Sequence, residues 1–146
     1  MTAGRDFRGA ELGLPEHGQH AMAGFGRRLV ALCVDWALCW LIAYGIFGVG
    51  LGTTGAASFV PLAVLAVENL LLVSTAGTTV GHRLLGLQVH LLNRTGSGSV
   101  LLGPPGLLRG AVRAVLLCLA IPPMVWLRDG RGLHDVAAGT VIVRSR

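Results

Sequence analysis

Long apolar runs, each broken by a few charges, organise this chain. The first extends from about Gly24 to Gly52. Within it, Arg28-Leu-Val-Ala-Leu-Cys-Val-Asp35 places opposite charges seven residues apart. That spacing is nearly two helical turns, so both fall on one face. The run then continues from Trp36 to Phe47 without further charge, and a second runs from about Ala56 to Ala76, interrupted by Glu68-Asn69. Both are close to the ~20 residues that cross a bilayer. The uncharged turn around Gly48–Gly55 is short enough to force an antiparallel hairpin. A third run, about Leu107 to Leu127, carries Arg109 and Arg113 one turn apart and reaches Pro122-Pro123, which kinks or breaks a helix.

Between residues 77 and 106 the pattern changes. Leu87-Gln-Val-His-Leu91 alternates apolar and polar, and Thr140-Val-Ile-Val143 is equally β-rich; these predict two short strands that pair. Asn93–Ser99 reads as a flexible turn, and Gly103-Pro-Pro-Gly106 stops structure before the third run. Residues 1–21 are polar and predict a disordered cytoplasmic tail, leaving 22–146 as the transmembrane domain. The expected fold is an all-α membrane protein: a helical hairpin plus a third, Pro-kinked hydrophobic segment, with short β pairing at the cytoplasmic surface.

Arginine placement sets the orientation. Arg5, Arg8, Arg27 and Arg28 precede the first run, the turn after it has none, and Arg83, Arg94 and Arg109 follow the second. This puts the N-terminus and the 77–106 loop in the cytoplasm. Three full crossings would place Arg128, Arg131, Arg144 and Arg146 outside, against that rule; a third run that folds back at Pro122-Pro123 would keep them inside. Three crossings is the expectation, although strand pairing requires both strands on one face and favours the re-entrant alternative.

Composition agrees with the apolar pattern. Of 146 residues, 53% are hydrophobic and 13% charged, against about 25% charged in soluble domains. The net charge is +5, and all twelve basic residues are arginine. Without lysine there is no Walker A loop and no Schiff-base lysine. The arginines cluster at segment ends with no interleaved aromatics, which fits anionic lipid rather than nucleic acid. The first run is too long for a signal-peptide core, and Asp35 interrupts it. Cys33, Cys39 and Cys118 lie in apolar runs without Cys-x-x-Cys spacing, so they read as packing residues.

Charge inside the apolar runs is the candidate chemistry. An aspartate near the centre of a bilayer helix costs roughly 2.5–3.5 kcal/mol on insertion scales, which marks function or a specific partner. Asp35 is either a proton or cation site or one half of a structural pair with an arginine such as Arg113. Arg28 snorkels to the headgroups or pairs with an aspartate. Glu68 pairs with an arginine or faces a water-filled cleft, with Asn69 beside it able to bond between helices. Asp135 caps a helix or bridges to an interfacial arginine. His82, His134 and Asp135 lack metal-ligand spacing, so no metal or other cofactor is expected. No nucleophile–base pattern suggests an enzyme.

In four elements the chain resembles the RDD family, small integral membrane proteins named for one arginine and two aspartates. These are Phe25-Gly-Arg-Arg28 through Asp35, Thr79-Val-Gly-His-Arg-Leu-Leu-Gly-Leu-Gln-Val89, Leu108-Arg109 with Arg113, and Arg131-Gly-Leu-His-Asp135 through Val143. The resemblance assigns the named charges to Arg28, Asp35 and Asp135. The middle element usually has lysine after its glycine, where this chain has His82, so a role needing permanent positive charge there is not carried over. The resemblance implies a membrane location and, for some members, transport including cation–proton exchange. Two functions follow: ion or small-solute transport through an oligomer, three short helices being too few to enclose a path, or an accessory protein whose intramembrane charges fix packing or dock a membrane partner.

The apolar runs must leave water, so the protein should stay with the membrane pellet through alkaline carbonate extraction; release into the soluble fraction would contradict this assignment.

Overall fold

Two apolar helices form the frame of the computed structural model, which describes residues 7–95, 98–119 and 131–146. Helix α1 spans Phe25–Phe47 and α2 spans Gly55–Ala76. At 1.5 Å per residue they are about 35 and 33 Å long, enough for a hydrocarbon core about 30 Å thick. Each is buried over only 22% of its most apolar window. The outward side of α1 presents Leu29, Val30, Leu41, Tyr44, Ile46 and Phe47, and α2 presents Phe59, Val67 and Leu71. Large apolar side chains pointing outward along both helices suit lipid, not water.

The buried stripes follow helical spacing. On α1 they are Arg28, Ala31, Asp35, Cys39 and Ala43; on α2, Pro61, Leu65, Asn69 and Val73. Steps of three or four residues keep each stripe on one face. Small residues on α1 let the backbones approach. Directly after Glu68, α2 widens into a π turn over Asn69–Val73, and Asn69 Nδ2 donates to Leu65 O at 3.2 Å. Such widenings recur at functional sites.

A short helix α3 (Val80–Leu84) leads from α2 into strand β1 (Leu87–Thr95). Strand β2 (Gly98–Leu102) folds back on β1, and β3 (Thr140–Arg144) pairs on the other side, giving the antiparallel order β2-β1-β3. The expected pairing of Leu87–Leu91 with Thr140–Val143 is present, with Val89 opposite Ile142 and Leu91 opposite Thr140. Asn93–Ser99 is more regular than its composition suggested: β1 continues to Thr95 and the hairpin partner begins at Gly98. Between β2 and β3 lie α4 (Gly106–Cys118) and α5 (Leu133–Ala138).

The alternating strands build two cores. One sheet face packs Leu87, Val89 and Ile142 on Ala31 of α1 and Val73 of α2. The other packs Val141 and Val143 against Leu12, Leu14 and Met22. This corrects the expectation of a loose N-terminal segment over its described part. Residues 7–23 cover the sheet: Met22 bridges to Val143, Ala23 N donates to Ile142 O, and Leu12 is fully buried. Three apolar residues scattered through polar sequence, Leu12, Leu14 and Met22, were enough, because they land on one sheet face.

The sheet also bears on the third apolar segment. Leu102 and Thr140, on either side of that segment, both stand opposite Leu91, so the segment starts and ends at the same sheet. Among the described residues two helices, α1 and α2, are long and apolar enough to cross a membrane. Helix α4 has 13 residues, about 20 Å, short of a crossing. The Pro122-Pro123 step lies outside the described residues.

In a background with Cys33, Cys39 and Cys118 replaced by alanine, Val89→Cys with Ile142→Cys should form an intramolecular disulfide. Val89→Cys with Val143→Cys should not, because those side chains point to opposite faces. The reverse pattern, or no cross-link in either, would contradict the register.

Candidate functional site

Asp35 is a buried charge on the inner face of α1. It is 2% exposed. Its Oδ2 accepts from Thr79 Oγ1 at 2.5 Å and its Oδ1 from the Gly81 amide at 2.6 Å. Both donors belong to the turn that opens α3. Thr79 is the N-cap, its hydroxyl accepting from His82 N at 3.2 Å, as small hydroxyl residues do at helix starts. Gly81 is required by contact: a Cβ there would collide with Ala31 O and stand 2.9 Å from Asp35 Oδ1. The turn therefore lies directly on α1. The same Thr79 hydroxyl is 2.6 Å from His82 Nδ1.

Glu68 completes the cluster from α2. It lies close enough to Asp35 for the two carboxyls to interact electrostatically, and Cys39 Sγ points at Oε2 from 3.5 Å. Oε1 is buried and finds no hydrogen-bond partner of good geometry among the described residues. Glu68 also lines an open apolar groove with Ile42, Phe47, Val60, Ala63, Val64 and Val67. Two carboxyls side by side in apolar surroundings resist being ionised together, so they favour a shared proton or a bound cation.

A second cluster joins α4, α5 and β3. Arg113 Nη1 forms an ion pair with Asp135 Oδ1; the two residues are 2% and 0% exposed. Thr140 Oγ1 donates to the same carboxyl at 3.1 Å, and His134 Nε2 is 3.6 Å from Oδ2. Arg109, one turn before Arg113, donates from Nη1 to Ala138 O at 3.1 Å, satisfying a carbonyl at the end of α5. Helix α4 reaches α2 through Gly110, whose Cβ position overlaps the Ser74 hydroxyl.

Three expectations are corrected here. Asp35 is bonded to a hydroxyl and an amide, while Arg113, offered as its partner, is paired with Asp135. Arg28 does not snorkel: it is 7% exposed, and Nη2 donates to Ile142 O at 3.4 Å across to β3. Glu68 meets Cys39 and lies beside Asp35 rather than an arginine, and it lines the open groove. The bridge from Asp135 to an arginine is present.

A family model described as the RDD family matches residues 22–139, most of the chain. The chain belongs to the RDD family. No curated protein and no solved structure matches it. The RDD charges thus have separate partners: Arg28 ties α1 to β3, Asp35 ties α1 to α3, and Asp135 ties α5 to α4. At the position usual for lysine in the RDD middle element, His82 carries no permanent charge. Burial first, then the positive charges of Arg113 and Arg28, lower its pKa from 6.5 to about 3, so the ring is neutral near pH 7.

Thr79, Gly81 and Cys39 are site residues that apolar patterning does not single out. Thr79 had a usable signal, a threonine immediately before a short helical turn. Cys39 had only its spacing, four residues after Asp35 on one stripe. Among the described residues, no three of His, Cys, Asp or Glu group closely enough to hold a metal ion.

Asp135→Asn should destabilise the detergent-solubilised protein by about 3–5 kcal/mol, because it leaves the Arg113 guanidinium buried without its counter-charge. Arg113→Met with Asp135→Leu should recover at least half of that loss in the same unfolding assay. Equal stability of Asp135→Asn and wild type would contradict the pair.

Proposed function

We propose that this RDD protein works in the bacterial cytoplasmic membrane as an oligomeric, proton-linked carrier of an ion or small solute. Asp35 and Glu68 form its exchangeable site. The observation that carries this reading is the acid pair itself. Two carboxyls meet between apolar helices, Asp35 is bonded by hydroxyl and amide donors, and Glu68 Oε1 is buried without a well-placed donor. Acids at such depth are proton relays or ion sites far more often than decoration. Counting from the sheet end, Asp35 lies about 15 Å along α1 and Glu68 about 12 Å along α2.

Orientation supports the same reading. Every arginine among the described residues lies at the sheet end of the hairpin or in the segments built on it, and the Gly48–Thr54 turn at the far end has none. With the sheet, both termini and the arginines on the cytoplasmic side, the positive-inside rule is satisfied throughout. Two crossings cannot enclose a path, so the conducting unit contains several copies.

The runner-up is an accessory protein whose charges only fix packing. The closed Arg113–Asp135 pair favours it, since that pair is fully committed within the fold. Purified protein in proteoliposomes decides between them. Under an imposed pH gradient, wild type should move protons in a way that depends on an added alkali cation or solute. Asp35→Asn and Glu68→Gln should each cut that flux at least tenfold at normal abundance. Wild-type vesicles as tight as empty ones, across monovalent cations, would leave the accessory reading.

A further inference from the structure

Thr79 stands between an acid and a base. Its Oγ1 is 2.5 Å from Asp35 Oδ2 and 2.6 Å from His82 Nδ1, and the three residues are 1%, 2% and 7% exposed. A helix cap accounts for the bond from His82 N to this hydroxyl. It does not account for the two short contacts on either side.

A hydroxyl has one hydrogen and can also accept. With Asp35 ionised, that hydrogen points to Oδ2, so His82 must supply the other from Nδ1–H, leaving Nε2 as the acceptor nitrogen. With Asp35 protonated, the order reverses. The Asp35 O–H donates to Thr79 Oγ1, the Thr79 hydroxyl donates to Nδ1, and His82 carries its hydrogen on Nε2. The two arrangements differ by one proton and by the tautomer of a ring that stays neutral in both.

We propose that Thr79 is a hydroxyl bridge through which His82 passes protons to and from Asp35. His82 is then the inner end of a proton path to the acid pair, an assignment that rests on the exchange-site reading above. In the inward step a proton from hydronium bonds to His82 Nε2, releasing water. The Nδ1–H bond breaks as that proton forms a bond to Thr79 Oγ1. The original Thr79 O–H bond breaks as its proton bonds to Asp35 Oδ2. One positive charge enters and one carboxylate is neutralised, so the balance closes.

The surroundings fit transfer rather than storage. Arg28 of α1 and Arg113 of α4 face His82 with positive charge, and Asp135 of α5 is spoken for by Arg113. Their field disfavours a lasting imidazolium but leaves exchange of neutral tautomers open. On the far side, Glu68 of α2 and Cys39 of α1 face Asp35, so a proton delivered there reaches the shared acid site. A permanently charged lysine side chain could not exchange tautomers in this way.

The test uses the full chain in lipid nanodiscs, with ¹⁵N-labelled histidine and ¹³C-labelled aspartate, read by NMR across pH. Wild type should switch His82 from the Nδ1–H to the Nε2–H tautomer at the midpoint where the Asp35 carboxyl takes up its proton. Thr79→Ser should keep the switch. Thr79→Asn keeps a capping side chain but has no hydroxyl and should lose it. Asp35→Asn, with Thr79 and the cap untouched, should hold His82 in one tautomer at every pH. A fixed tautomer in wild type, or a switch that survives Thr79→Asn or Asp35→Asn, overturns the bridge. In proteoliposomes Thr79→Asn should lower proton flux at least tenfold and Thr79→Ser less than threefold; full flux in Thr79→Asn overturns the path. A wild-type tautomer switch without any flux overturns the carrier reading while the bridge stands.

Discussion

The Asp35 carboxylate accepts from the Thr79 hydroxyl and the Gly81 amide, and the rest of the assembly hangs from that contact. It joins a lipid-facing helix to the turn where the chain leaves α2 and enters the sheet. A buried carboxylate needs donors, and the start of α3 supplies them. Gly81 lets that turn lie on the α1 backbone, and Thr79 caps the helix while serving the acid. Once the turn is seated, β1 must start over the ends of α1 and α2. There Leu87 and Val89 meet Ala31 and Val73. The second cluster repeats the device further along the chain, with Asp135 drawing Arg113 and Thr140 together. Buried polar contacts thus act beside the apolar core in fixing how the helices and the sheet meet.

The hairpin was legible because a bilayer imposes a length and a composition on any span, and Gly24–Gly52 and Ala56–Ala76 meet both. The β1–β3 register was legible because alternation with period two gives each strand a face. The third segment was less legible: its length and hydrophobicity pass for a span, while its described helix has 13 residues and its flanks Leu102 and Thr140 are set by a remote meeting at Leu91. The N-terminal segment misled for a similar reason: Leu12, Leu14 and Met22 are too sparse to register as a pattern until a sheet face gathers them.

Charge partners were the least legible part. A sequence reveals that Asp35 and Arg113 both sit in apolar runs, and opposite charges invite pairing. Which charges meet is set by three-dimensional order, and a backbone amide or a hydroxyl competes with any guanidinium for a carboxylate. Thr79 and Gly81 compete well because they are local to a turn that must pack there in any case. Arg113, one turn from Arg109 on α4, faces α5, where Asp135 is within immediate reach.

The amide proton of Gly81 reports the central contact most directly. In nanodisc NMR of the uniformly labelled chain, it should resonate far downfield, as amides bound tightly to carboxylates do, and should move upfield in Asp35→Asn while the Arg113 side-chain signals stay in place. An ordinary Gly81 shift that ignores Asp35→Asn, with Arg113 guanidinium signals moving instead, would show that an arginine and not the α3 turn holds Asp35.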